Sequence, residues 1–184
     1  MRKQQTTIRF VRRAADLPLV RSVIRSAVNA WPAPERLKRC ALPVLMYDEQ
    51  DLDDFELLLL TKDGSPLAVG AWQPQAALDD PDGRISTLLH GLYVAESTQR
   101  NGFGTALQSV ISRRAAAAGF NGLHVKAERF AVTYFARCGY RRLASAEQPR
   151  NAPAYPYWFW QPCATIRTAS LTHYATIPDL EGRS

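Results

Sequence analysis

An α/β domain of the α+β type, with a mixed central sheet of about six to seven strands flanked by helices, is the fold this sequence predicts. Three observations carry that expectation. Within Leu88–Ala118 the apolar period changes from two to 3.6, so a strand, a polar turn and an amphipathic helix follow one another. Two apolar runs, Phe55–Thr61 and Pro66–Trp72, flank Lys62-Asp63-Gly64-Ser65, and Asp-Gly is the turn signal of a β-hairpin. The chain has 184 residues, 46% of them hydrophobic, which suits one domain with a real core and argues against disorder.

Taken in order, Thr6–Arg12 alternates, with Ile8, Phe10 and Arg12 sharing a face, and predicts a first strand. Asp16 is placed to cap a helix whose apolar face is Leu17, Val20, Val23, Ile24, Ala27 and Val28. Trp31-Pro32-Ala33-Pro34 ends it. A second helix is expected from Glu35 to about Tyr47, with Pro43 as a kink or break. Asp48–Glu56 then holds six acids among nine residues, and the hairpin follows. Asp79–Gly83 is a second turn, leading into a buried strand at Leu88–Val94.

Ala95–Asn101 is a polar turn. From Gly102 onward Phe103, Ala106, Leu107, Val110 and Ile111 fall on one helical face, and Gly119 closes that helix. A strand at Gly122–Ala127 and a short helix around Ala131–Cys138 come next. A sixth strand should begin near Arg141 and a seventh should cover Tyr157–Trp160, with Asn151–Pro156 as the loop between them. Residues 1–162 therefore form the domain. The polar tail, 163–184, shows little periodicity and receives no structure.

Composition removes several function classes. The net charge of +6 is spread over Arg9–Arg39 and Arg113–Arg150, not gathered in an aromatic-interleaved stripe, so no nucleic acid is expected. No apolar run approaches the ~20 residues of a membrane span. Arg2 and Lys3 have no apolar segment behind them, so no secretory signal is read. Cys40, Cys138 and Cys163 are widely spaced, which fits free thiols in a cytoplasmic protein and offers no zinc site.

The loop Gln99–Gly104 joins strand to helix, with glycines at 102 and 104. The first turn of a helix has unpaired N–H groups and a partial positive charge, so it binds phosphate without side-chain help. Glycines there let a diphosphate sit against the main chain. Neither Gly-Lys-Ser/Thr nor GxGxxG is present, so the loop is not a P-loop or a Rossmann turn.

Gln99-Arg100-Asn101-Gly102-Phe103-Gly104 resembles the acetyl-CoA loop of the GNAT acetyltransferase superfamily. Arg129-Phe130-Ala131-Val132-Thr133-Tyr134-Phe135-Ala136-Arg137-Cys138-Gly139-Tyr140 resembles a second GNAT segment at all but its first position. The resemblance implies a GNAT fold with a splayed pair of central strands. It implies acetyl-CoA as co-substrate, no metal, and transfer to a primary amine by direct attack in a ternary complex. The diphosphate would lie on Gln99, Arg100, Asn101, Gly102, Phe103, Gly104 and Thr105. The backbone of Leu92 and Val94 would hold the pantetheine arm, and Arg129, Tyr134, Phe135 and Arg137 would complete the cofactor site.

Two positions depart from the family pattern. Phe135 stands where many members have a tyrosine that protonates the thiolate, with Tyr134 one residue, or ~100°, away along the helix. Leu88 stands where other members carry a catalytic glutamate. His90-Gly91-Leu92-Tyr93-Val94 resembles the His-x-Leu-x-Val pattern of arylalkylamine acetyltransferases. By strand parity His90 should face the same way as Leu92 and Val94, which makes it the candidate base beside Tyr134 as the other catalytic candidate. Alternatively His90 is packed in the sheet and bonded to a neighbour. The acids Asp48–Glu56 suit a cationic acceptor, a small-molecule or peptide amine, or else form a solvated loop. A homodimer is compatible with the family. A non-catalytic acyl-CoA-binding regulator of the same fold is the alternative function, kept open by Phe135 and Leu88.

Overall fold

The computed structural model describes residues 6–163, so the tail expected from 163 onward lies outside the described residues apart from Cys163. Strand β1 (Thr6–Val11) is followed by helices α1 (Leu17–Asn29), α2 (Glu35–Leu45) and the single turn α3 (Asp51–Asp54). Strands β2 (Glu56–Lys62), β3 (Ser65–Trp72), β4 (Leu78–Asp79) and β5 (Ile85–Val94) lead into α4 (Phe103–Ala117). The chain continues through β6 (Gly122–Lys126), α5 (Val132–Arg137), β7 (Arg141–Arg142) and β8 (Trp158–Pro162). The eight strands form one sheet ordered β1-β2-β3-β5-β6-β8-β7, with β4 against β5. Every pairing is antiparallel except β5 with β6.

Two apolar layers cover the two faces. All six apolar residues expected on α1 are buried, against Leu57, Leu59, Val69 and Tyr93 of the sheet. Leu107, Val110 and Ile111 of α4 pack the other face with Leu58, Leu60 and Phe159. Leu57–Leu60 are thus buried on both sides, and full burial of each leucine stabilises the fold by roughly 1.5–3 kcal/mol. In the hairpin, Asp63 (φ 49°) and Gly64 (φ 82°) are both left-handed, as a two-residue turn matched to strand twist requires.

Several local expectations change. Asp16 makes no side-chain capping bond, because its own backbone is helical (φ −88°, ψ −16°) and its carboxylate accepts instead from Arg9, at 2.9 and 3.0 Å. Helix α2 stops at Leu45, where Met46 turns extended and Tyr47 enters the core. The two-residue strand β4 is an addition to the expected six to seven, which makes eight, and the strand expected near Arg141 is β7, also of two residues.

The Arg9 hydrogen bond holds the Asp16 carboxyl below its usual range, with the Arg9 and Arg13 charges adding to it and burial opposing. A lowered folded-state pKa contributes stability above the unfolded value and loses it as pH falls through the folded one. Asp16→Asn should therefore lower the melting temperature near neutral pH by about 2–4 °C. That gap should narrow as pH falls below the ordinary carboxylate range and close once the lowered folded-state value is passed; a series of thermal melts from neutral to acid pH checks it.

The feature that positions the site is where β5 and β6 part. They pair only at Ser86–Gly122, Thr87–Leu123 and Leu88–His124. Beyond Leu88, β5 keeps β3 as its partner while β6 runs on with β8, so the sheet opens into a V. Its closed end is clamped by a buried network: Ser86 Oγ donates to Asp80 at 2.7 Å, Trp160 Nε1 donates to Ser86 Oγ at 3.0 Å, and the other Asp80 oxygen bonds His124 Nε2.

Candidate active site

One wall of the V is the turn into α4. Arg100 (φ 67°) and Gly102 (φ 80°) are left-handed, which turns the chain sharply before the helix begins. A Cβ at Gly102 would meet nothing within 4 Å, so the backbone at the helix start is open to a ligand. The first turn carries no acid, leaving the N–H groups and the helix dipole uncompensated. Asn101 Nδ2 donates to the Thr98 carbonyl at 3.1 Å, and Gln99 Nε2 to the Val94 carbonyl at 3.3 Å, fixing the loop to the end of β5. Arg100, Arg129 and Arg137 are exposed and form no ion pair with a described residue. Phe103 packs partly against the α4-side core, and Thr105 is exposed.

On the tyrosine–phenylalanine pair the geometry is plain. Phe135 is buried, its ring 5.4 Å from Tyr140 and 6.2 Å from Phe159. Tyr134 is part-exposed, and its hydroxyl lies 2.7 Å from where a Gly104 Cβ would be. Thus α5 turns Tyr134 towards the loop and Phe135 into the core, as adjacent helical positions must diverge. Burial, then the Cys138 thiol beside it, push the Tyr134 phenol up, so it keeps its proton at neutral pH.

The opposite wall holds His90, and here strand parity fails. Ala71 pairs with Gly91 but Trp72 with Leu89, so β5 has one extra residue, His90, in a β-bulge. Leu92 and Val94 pack on the α4-side core. His90 turns to the α1 side: Nδ1 is 2.8 Å from the Tyr47 hydroxyl, and its ring centroid 4.4 Å from Phe55. Burial lowers the His90 pKa, with Lys126 adding to this and Asp51 opposing, so the imidazole is neutral at neutral pH. Trp31 from the α1–α2 connection packs on Phe130 with ring centroids 4.8 Å apart and planes tilted by 48°.

The acidic run divides. Glu56 accepts from Arg114 at 2.6 and 2.7 Å and from Trp72 Nε1 at 2.8 Å, which commits it to the α4 side. Asp48 accepts from the Gln50 and Asp51 N–H groups and Asp51 from the Asp48 N–H, in the turn that leads into α3. Glu49, Asp53 and Asp54 remain exposed. Sequence reasoning missed Tyr47 and Phe55, which no motif or period marks. Among the described residues no group of three His, Cys, Asp or Glu is placed to hold a metal, and no helix is long and apolar enough to cross a membrane.

Where the sheet opens, the glycine turn presents a helix start suited to an anionic group. A family profile described as an acetyltransferase (GNAT) domain matches residues 47–157, and the chain belongs to that family. It is an acyltransferase. No curated protein matches it. Solved structures share the fold at low identity. A GCN5-related N-acetyltransferase from Rhodopseudomonas palustris has a TM-score of 0.67 and 16% identity, over 88% of this chain and 98% of that one. PaiA N-acetyltransferase from Thermoplasma acidophilum, solved with coenzyme A, gives 0.64 and 12%, over 85% and 99%. The KacTA–DNA complex gives 0.58 and 18%, over 86% and 94%.

Proposed function

We propose that the protein transfers acetyl from acetyl-CoA to a primary amine by direct attack in a ternary complex. One observation carries this: beyond Leu88 β5 parts from β6, with the Gly102–Gly104 turn and Tyr134 on its α4 side and His90 on its α1 side. The diphosphate would lie on the N–H groups of the α4 turn, with Arg100, Arg129 and Arg137 at hand for its phosphates. Leu92 and Val94 would offer main-chain groups to the pantetheine arm.

The amine nitrogen attacks the thioester carbonyl carbon, a C–N bond forms, the C–S bond breaks, and the electron pair goes to sulfur. Tyr134, protonated at neutral pH, donates a proton to the departing thiolate and supplies the acid that Phe135 lacks. The amine loses one proton, so the balance is N–H to S–H. Asp51 and the exposed acids around α3 favour a cationic acceptor, whether a small molecule or a peptide amine.

Nucleic acid stays outside this reading, because the basic residues are spread over Arg9–Arg39 and Arg113–Arg150 and not gathered in one stripe. The KacTA–DNA fold neighbour makes salt-dependent retention on DNA the check on that point. The main test is CoA release from acetyl-CoA with a panel of amines, and no release with any of them would remove the proposal. Tyr134→Phe should lower kcat about 10²-fold while CoA affinity holds. Single-turnover kinetics with unchanged kcat would take the acid role from Tyr134.

A further inference from the structure

Tyr47 is 3% exposed, and among the described residues His90 Nδ1 is the one hydrogen-bond partner of its hydroxyl. The hydroxyl reaches that nitrogen because residue 91 is glycine: a Cβ there would lie 2.6 Å from Tyr47 Oη. Two proton arrangements fit a 2.8 Å contact. If the phenol donates, the His90 proton must sit on Nε2. If Nδ1–H donates to the phenol oxygen, the buried phenol hydrogen has no acceptor. Burial holds the phenol protonated, so that hydrogen is always present. An unsatisfied buried donor is penalised enough to favour the first arrangement by roughly 5- to 150-fold in population.

We propose that Tyr47 is a positioning residue that holds His90 as its Nε2–H tautomer, so that His90 offers the V a neutral N–H donor and not a proton-accepting lone pair. Nε2 has no hydrogen-bond partner among the described residues, and although Tyr47 and Phe55 desolvate the ring, His90 as a whole keeps solvent-accessible surface. The charged groups acting on the ring are Asp51 from α3 and Lys126 from β6, and Phe55 covers one side without charge. The catalytic part rests on the acetyl-transfer reading above. In that reaction the N–H would stabilise the negative charge that develops on the carbonyl oxygen. The amine's proton then leaves to water and an equivalent one reaches sulfur through Tyr134, with none stored on His90.

The ring is tested without turnover. In the 15N-labelled full chain, with His90 assigned among the three histidines by its loss in His90→Gln, Nε2 should carry the proton and Nδ1 should resonate as a hydrogen-bonded, unprotonated nitrogen. Tyr47→Phe should move the Nδ1 resonance and raise the Nδ1–H fraction. A wild-type ring protonated at Nδ1, or an Nδ1 resonance indifferent to Tyr47→Phe, overturns the proposal.

With an accepted amine, His90→Gln restores an N–H near the Nε2 position but no base. It should recover at least about tenfold of the kcat lost in His90→Ala and keep the acidic limb of the pH–rate profile. Glutamine no better than alanine, with the limb gone in both, makes His90 a base and overturns the donor role. A chain that binds acetyl-CoA yet acetylates no amine sinks the transfer reading, and the ring resonances then decide the tautomer by themselves.

Discussion

Gly104→Val should reduce acetyl-CoA affinity at least about 10²-fold while leaving the fold in place. The glycine sits in the first turn of α4, and an added Cβ would lie 2.7 Å from the Tyr134 hydroxyl and 3.4 Å from Val94 Cγ2. The first of these is the far end of a part-exposed side chain that can swing away, so the variant relieves its clash into the V. Both the phosphate-binding main chain and Tyr134 are then obstructed together. Valine in place of glycine costs little helix propensity, so the melting temperature should change by no more than a few degrees. Gly102→Val acts by another route. Its Cβ meets nothing within 4 Å, but φ of 80° is strained for valine, by about 1–2 kcal/mol, and the turn itself must reshape. Calorimetry showing undiminished CoA binding in both variants would take the diphosphate away from this loop.

His90→Ala should lower kcat about 10²-fold with acetyl-CoA affinity near wild type. The separation is expected because the bulge turns His90 to the α1 side, whereas Leu92, Val94 and the glycine turn lie towards α4. The substitution leaves the Tyr47 hydroxyl without its acceptor, at a cost of about 1–3 kcal/mol, so rates belong well below the variant's own melting temperature. An unchanged kcat would make His90 a packed sheet residue whose bond to Tyr47 is structural.

What could be read from the residues follows from how local each determinant is. The α1 face and the Asp63–Gly64 hairpin are set by period and by φ > 0 chemistry, and both were legible to the residue. The glycine turn was legible because its chemistry lies in the main chain, which glycine spacing reports directly. The two-residue strand β4 has no period to detect and pairs only with β5, whereas β7, as short, begins at Arg141 where a strand was expected. Asp16 looked like a cap because its partner, Arg9, comes from another element.

His90 shows the limit most clearly. Alternation predicts a face only while a strand has no inserted residue, and the bulge is visible only in how β5 matches β3. Tyr47 follows a helix that ends two residues before it, and no spacing marks it as a partner for residue 90. The Tyr134–Phe135 choice was a question of helical phase, which a motif position does not fix until α5 is docked on the sheet.

The parting of β5 from β6 also bears on how long the protein lasts in a cell. Along Leu89–Val94 and Val125–Lys126 the two strands forgo the pairing that adjacent strands normally share, so the unliganded sheet is weakest at its centre. A bound molecule whose amides fill that gap acts as a folding ligand. At about 100 times its dissociation constant such a ligand adds about 2.7 kcal/mol to stability by mass action. Differences of that size change how often a chain is caught open by proteases. On the acetyl-transfer reading proposed above, the lifetime of this protein should therefore track the supply of acetyl-CoA, and its scarcity would lower the amount of catalyst as well as the rate of the reaction.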